Sequence, residues 1–304
     1  MKTFLIIVVI YLGRSIQTEG FLRTRTTGIP LSLHFHRVSS KIASTSSDDI
    51  NFPLATSSDR IRKGTVPEFA LPNDNTIETP FQRLVVGTHF LLAAINLSST
   101  AVHLTLSNPS DFFSILLTII FAVVLGDLGT GKFHWAVDNY GFLETPIFGS
   151  VCAAFQGHHK TPWTITFRSF ANNVYKIGFG TIPVLVGLLV TPSIDPLVRL
   201  FSTLFVTFWM LSQELHKYAH MRQSPSPLIK SLQDRNIILT RKEHGLHHNS
   251  PYEGHYCILT GMCNPFLDRT HFFRRLEKTV FYLTGNRPIV WDEDPNMEKL
   301  AMSL

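Results

Sequence analysis

Cysteine is scarce and poorly spaced for structural work: Cys152, Cys257 and Cys263 are the only three among 304 residues. An odd number with no C-x-x-C pair excludes a disulfide framework and a thiolate zinc knuckle, so the three read as buried or inert thiols. Charge is thin as well, with 16% Asp, Glu, Lys and Arg against 44% apolar residues. The formal net charge of +5 comes from no basic stripe interleaved with aromatics, which leaves no nucleic-acid partner and favours a membrane surface. No H-E-x-x-H occurs, which argues against a zinc protease.

A further absence marks the N-terminus as an address. From Phe21 to Ser47 there is no acidic residue, while Ser, Thr and Arg abound, the composition of an organelle transit peptide. Ahead of it, Lys2 precedes the apolar run "FLIIVVIYLG" (Phe4 to Gly13), which has the length of a signal-peptide core and is too short to span a bilayer. Residues 1–20 therefore read as signal-like and 21–66 as transit-peptide-like and unstructured. Together they resemble the two-part address of plastids wrapped in extra membranes. A lone secretory signal or signal anchor followed by a disordered linker is the alternative. Pro67, Pro72 and Pro80 punctuate the lead-in, so the folded domain is assigned to 67–304.

Within that domain, apolar stretches run from Leu84 to Leu106, Phe112 to Gly126, Ile177 to Val190 and Leu197 to Leu211. Each is close to the length of a bilayer span. The expected fold class is an all-α integral membrane protein with about four transmembrane helices, the alternative being a buried helical core. Lys and Arg crowd the segments before the first stretch, between the second and third, and after the fourth, whereas the opposite connections carry only Arg199. That asymmetry fits the positive-inside pattern. Two helical hairpins then put the 131–176 loop and everything after His216 on one membrane face.

That face holds a concentration of imidazole. "ELHKYAH" places His216 and His220 at i and i+4; "RKEHGLHHNS" places His247 and His248 three and four residues after His244. On helices, each group points from a single face. "GKFHWAVDNYG" offers His134 and Asp138 at the same i, i+4 spacing, and "AFQGHHKTPWTI" offers adjacent His158 and His159. Adjacent positions diverge by about 100° on a helix, so this pair serves two metals more naturally than one. His89, His103, His255 and His271 read instead as satisfied polar residues near the membrane surface.

Eight imidazoles shared by two ions give about four each, which would close a tetrahedral zinc site. Six-coordinate iron keeps positions free, and imidazole is an ordinary iron ligand. The expectation is a histidine-rich di-iron site at one membrane face, with a membrane heme or metal-binding carrier as the competing class. Such a centre suits oxidation of an unactivated C–H bond in an acyl chain entering from the lipid. Because ligation requires neutral imidazoles, activity is expected to fall as pH drops through the histidine range near 6.5.

The motifs "HWAVDNYG", "AFQGHHKTPWTIT" with "FANN", "ELHKYAH" and "RKEHGLHHNSPYEGHYCILTGMCN" resemble the plastid fatty acid desaturase-4 type family. Its relatives include the plasmanylethanolamine (plasmalogen) desaturases. The resemblance runs from about Phe81 to Trp291. It implies a di-iron, oxygen-dependent lipid desaturase, and for the plastid branch a trans double bond at carbon 3 of palmitate in phosphatidylglycerol. It carries the metal ligands onto His134, Asp138, His158, His159, His216, His220, His244, His247 and His248, with Asp138 either a ligand or a group orienting His134. Gln156, Glu214, Asp234 and Glu243 read first as solvated polar groups, with support of the ligands as the alternative. No cytochrome b5-like H-P-G-G core occurs, so electrons come from a separate protein: ferredoxin in a plastid, cytochrome b5 in the endoplasmic reticulum. Arg269, Arg274 and Arg275 read as a solvated basic face, with docking of an acidic donor as the alternative.

Overall fold

In the computed structural model, residues 74–104 and 109–304 are described. The signal-like and transit-peptide-like segments, and the proposed domain start at 67, lie outside them. Eleven α-helices occur among the described residues and no strand. The long ones are α1 (Pro80–His103), α2 (Pro109–Asn139), α4 (Phe170–Val190) and α5 (Pro196–His220). Between α2 and α4 lies α3 (Gly149–Lys160); after α5 come α6 (Pro227–Asp234), α7 (Arg241–His247), α8 (Asn264–Arg269), α9 (Phe272–Thr284), α10 (Ile289–Glu293) and α11 (Pro295–Ser303).

The helix starts follow local chemistry. Thr79 accepts from the backbone N–H of Gln82 while the Gln82 side chain accepts from Thr79 N–H, a capping box ahead of Pro80. Asp195 caps α5 through the N–H groups of Leu197 and Val198, again ahead of a proline. The four long helices form a bundle in which α1 packs on α4, α2 on α5, and α5 touches α1 and α4 as well. Ser169 N–H donates to Thr76 O at 2.9 Å, joining the starts of α1 and α4. At the far ends, Asn96 Nδ2 donates to Leu185 O at 3.1 Å, so α1 and α4 run parallel.

Among the described residues three helices, α1, α2 and α4, are long and apolar enough to cross a membrane. Exposed Leu84, Leu91, Phe112, Phe113, Leu117, Phe121, Phe179 and Val190 decorate them, an apolar surface of the kind that lipid covers. The fourth expected stretch belongs to α5, whose last part carries Gln213, Glu214, His216, Lys217 and His220. The apolar stretch expected to end at Gly126 is only the first half of a 31-residue helix, about 46 Å long. That exceeds the roughly 30 Å hydrocarbon core by several turns.

Two large polar side chains inside the bundle are paired. His89 is fully buried between Thr181 Oγ1 at 2.7 Å and Thr207 Oγ1 at 3.2 Å; it is satisfied, as expected, but in the bundle interior rather than near the surface. Arg199, also buried, donates to Leu188 O and Thr191 O, closing the C-terminus of α4.

Candidate metal centre

The prolonged half of α2 is one wall of the site. Along one face of it stand Asp127, Thr130 and His134, spaced i, i+3 and i+7. Asp127 Oδ1 accepts from the N–H groups of Thr260 (2.7 Å) and Gly261 (3.0 Å), and Oδ2 from Cys263 N–H (3.0 Å). Thr130 Oγ1 accepts from Ile258 N–H, and His134 Nδ1 lies 3.0 Å from Tyr256 O. One helix face therefore satisfies the backbone of residues 256–263, which is why α2 stays helical past its apolar run. Farther along, Glu277 accepts from the indoles of Trp135 (3.1 Å) and Trp291 (2.9 Å), securing the C-terminal helices.

Against this wall the chain brings two groups of side chains together. His158, His216, His220, His244 and His248 form one; His134, Asp138, His159 and His247 form the other, and within each group the ligating atoms lie within 4.8 Å of one another. The first joins α3, α5 and α7. Its Nε2 atoms face one another: 2.8 Å for His158 and His220, 3.1 Å for His220 and His216, 3.0 Å for His248 and His244. In the second, Asp138 Oδ2 is 3.2 Å from His134 Nε2 and 3.4 Å from both His159 Nε2 and His247 Nε2. The groups adjoin, with the His134 and His216 rings 5.9 Å apart and those of His244 and His247 5.6 Å apart. Adjacent His158 and His159 fall in different groups.

Proton bookkeeping shows what these groups are built for. The carbonyls of Tyr256 and Gly254 accept only, so His134 and His247 (2.9 Å to Gly254 O) carry their protons on Nδ1. Their Nε2 lone pairs then point at the Asp138 carboxylate. His134 Nε2 and both Asp138 oxygens are buried without a hydrogen-bond partner. With these imidazoles neutral, lone pairs converging on one point call for a cation among them, so the residues fit a bound metal. The outer carbonyls fix tautomer and ring direction.

Burial disfavours the charged form of His158, His244 and His247. It pushes His158 and His244 well below the usual value of 6.5, with neighbouring imidazoles adding to the effect. His247 is also lowered by burial, against the opposing pull of Asp138. Nε2 separations near 3 Å leave no room for a porphyrin between facing histidines, which removes the heme reading.

A cavity of about 710 Å³ reaches the first group, a size suited to a small-molecule or lipid-chain ligand. His158 and His216 line it, together with Phe155, Ile177, Val184 and Trp209. Phe155 also packs edge-on against His134 at 5.1 Å.

The supporting candidates divide. Gln156 Nε2 donates to Val137 O and Gly141 O, both at 3.0 Å, tying α3 to the end of α2 and so setting His158 and His159. Glu214 accepts from Asn173 and pairs with Lys217, joining α5 to α4. Glu243 meets His255. Asp234 takes the solvated reading: it is more than half exposed and pairs with Lys230. Arg274 corrects both readings of the basic face, since it is buried and paired with Glu277 at 2.6 Å. Asp127, Thr130 and the Gly254 and Tyr256 carbonyls were not among the sequence candidates; only the i, i+3, i+7 spacing of Asp127, Thr130 and His134 just past an apolar run signals the first two.

A lipid desaturase domain matches residues 123–291, from the middle of α2 to α10. Over 238 residues the chain is 37% identical to the chloroplastic fatty acid desaturase 4-like 1 of Arabidopsis thaliana, covering 76% of this chain and 78% of that protein. It is 38% identical over 221 residues to chloroplastic fatty acid desaturase 4 of the same plant, covering 69% and 67%. Mouse plasmanylethanolamine desaturase 1 is 31% identical over 186 residues, 57% of this chain and 68% of that protein. No solved structure matches.

Proposed function

Because the chain belongs to the lipid desaturase family, we propose that it is a plastid membrane di-iron desaturase. Its proposed reaction introduces a trans double bond at carbon 3 of palmitate in phosphatidylglycerol, using dioxygen and electrons from ferredoxin. In this reading α5 is the fourth span, and the nine residues of the two groups hold two irons. Iron bound there supplies, with dioxygen and two electrons, the oxidising power to remove hydrogen from a saturated carbon.

The chain's own residues do the rest. The Nδ1–H groups of His134 and His247 keep Nε2 unprotonated by donating to Tyr256 O and Gly254 O. Phe155, Ile177 and Trp209 wall the cavity and exclude water from the alkyl chain. The observation that carries the reading is where the histidines meet the cavity. His158 and His216 line it alongside polar Asp74, Arg168, Asn172 and Lys176, and Val184, Phe205 and Val206 are among its apolar lining. Val206 lies ten residues before His216 on α5, about 15 Å along the axis. A lipid with its polar end at Lys176 and its tail toward Val184 therefore offers a carbon near the ester, not mid-chain, to the five-histidine group.

The chloroplastic relatives support the plastid assignment. The 31% identity to mouse plasmanylethanolamine desaturase 1 supports a second reading: the same chemistry on an ether lipid of the endoplasmic reticulum, with cytochrome b5 as donor. Lipid analysis of a host expressing the chain, with and without His247→Ala, separates them. Trans-3-hexadecenoate in phosphatidylglycerol that vanishes in the variant is expected. A vinyl ether lipid selects the second reading, and no new lipid from iron-loaded chain overturns both.

A further inference from the structure

The two carbonyls that set the ligand tautomers of the Asp138 group come from residues flanking one side chain. Gly254 O accepts from His247 Nδ1 at 2.9 Å and Tyr256 O accepts from His134 Nδ1 at 3.0 Å. Between them stands His255, whose imidazole touches neither ligand group. Its Nδ1 lies 3.2 Å from Glu243 Oε2 and its Nε2 3.4 Å from Asp268 Oδ2. Its backbone N–H points at both Asp268 oxygens, each at 3.3 Å. Glu243 sits in the first turn of α7, the helix that carries His244 and His247, and Asp268 lies in α8.

The backbone here is unusual. Tyr252 (φ 61°), Gly254 (φ 78°) and His255 (φ 50°) are all left-handed, a conformation that a non-glycine residue keeps only where its surroundings impose it. A Cβ at position 254 would come within 3.1 Å of Asp268 Oδ1, so the turn also requires glycine. What imposes the conformation at 255 is the pair of carboxylates, one on each side of the ring.

We infer that His255 is a positioning residue: gripped by Glu243 and Asp268, it holds the Gly254 and Tyr256 carbonyls where His134 and His247 need them. It thereby governs the metal held with Asp138 and His159. The five-histidine group draws neither Nδ1 acceptor from this turn, so the two irons respond differently to its loss. This inference rests on the two-iron reading.

The test uses the full chain purified in detergent and loaded anaerobically with 57Fe(II). Iron content, the Mössbauer spectrum and the thermal midpoint of the metal-free protein are compared for wild type, His255→Ala and His255→Gln. Iron near two per chain is expected in wild type and near one in His255→Ala, with one iron environment lost and the other unchanged. His255→Gln, which keeps an N–H donor for one carboxylate, recovers part of the second iron. Loss of both irons with a lowered metal-free midpoint would make His255 a folding residue and overturn the inference. Two irons with an unaltered spectrum in His255→Ala would overturn it as well. Wild type that binds no iron would instead overturn the metal reading beneath it.

Discussion

Asp127→Asn exchanges one oxygen for an amide nitrogen in a buried carboxylate that accepts three backbone N–H groups. Thr260 and Gly261 share Oδ1, which asparagine retains; Cys263 N–H would then face an NH₂ donor. A hydrogen bond to a charged group contributes about 1.5–3 kcal/mol, and a buried donor left unpaired costs about 1–3 kcal/mol. The single lost bond and the weakening of the other two together cost about 2–4 kcal/mol. At about 2–4 °C per kcal/mol for a chain of this size, the midpoint falls by about 5–15 °C. Asp127→Ala, which strands all three donors, falls further. The assay is thermal unfolding of the metal-free chain in detergent. A midpoint within about one degree of wild type for both variants would refute the claim that Asp127 secures the 256–263 segment.

Two further outcomes follow from the geometry. Burial lowers the pKa of His158, His244, His247 and His248 from the unfolded value of 6.5. The metal-free chain therefore has its full histidine-linked stability above pH 6.5 and loses it as pH falls from there toward the folded values, because only the unfolded state takes up those protons. Denaturant midpoints from pH 8 to 5 check this, and a flat series contradicts it. Proton competition for the metal shifts the same way, which corrects the fall near pH 6.5 expected from the sequence: activity of the loaded enzyme falls only in more acid buffer. Gly180 lines the cavity, and a Cβ there would meet nothing within 4 Å. Gly180→Phe is expected to cut turnover on the order of 100-fold by misplacing the alkyl chain, with iron content unchanged; full turnover would show that the chain does not lie there.

The histidine motifs were legible because helical spacing turns sequence distance into direction. His216 with His220, and His244 with His248, needed only their helices to be aimed. What could not be read was where a partner backbone would meet a helix. The apolar run ends at Gly126 because Asp127, Thr130 and His134 leave lipid to serve residues 256–263, a segment more than 120 positions away. Burial of Arg274 beneath Glu277, and the outward turn of Asp234 toward Lys230, depend on how short C-terminal helices stack. Those helices are amphipathic, but a period shows only which face is apolar, not which neighbour covers a charged side chain beside it. His255 reads as a satisfied polar residue and is one, but the partners that satisfy it, Glu243 and Asp268, lie outside any local pattern.

Anaerobic titration of the metal-free chain with Fe(II), with the unbound iron filtered off and measured as its coloured ferrozine complex, tests most directly whether these two groups form a paired metal centre. The account predicts a break near two irons per chain, reduced to near one by His220→Ala and, independently, by His159→Ala. A break near one in wild type, or none, would contradict it.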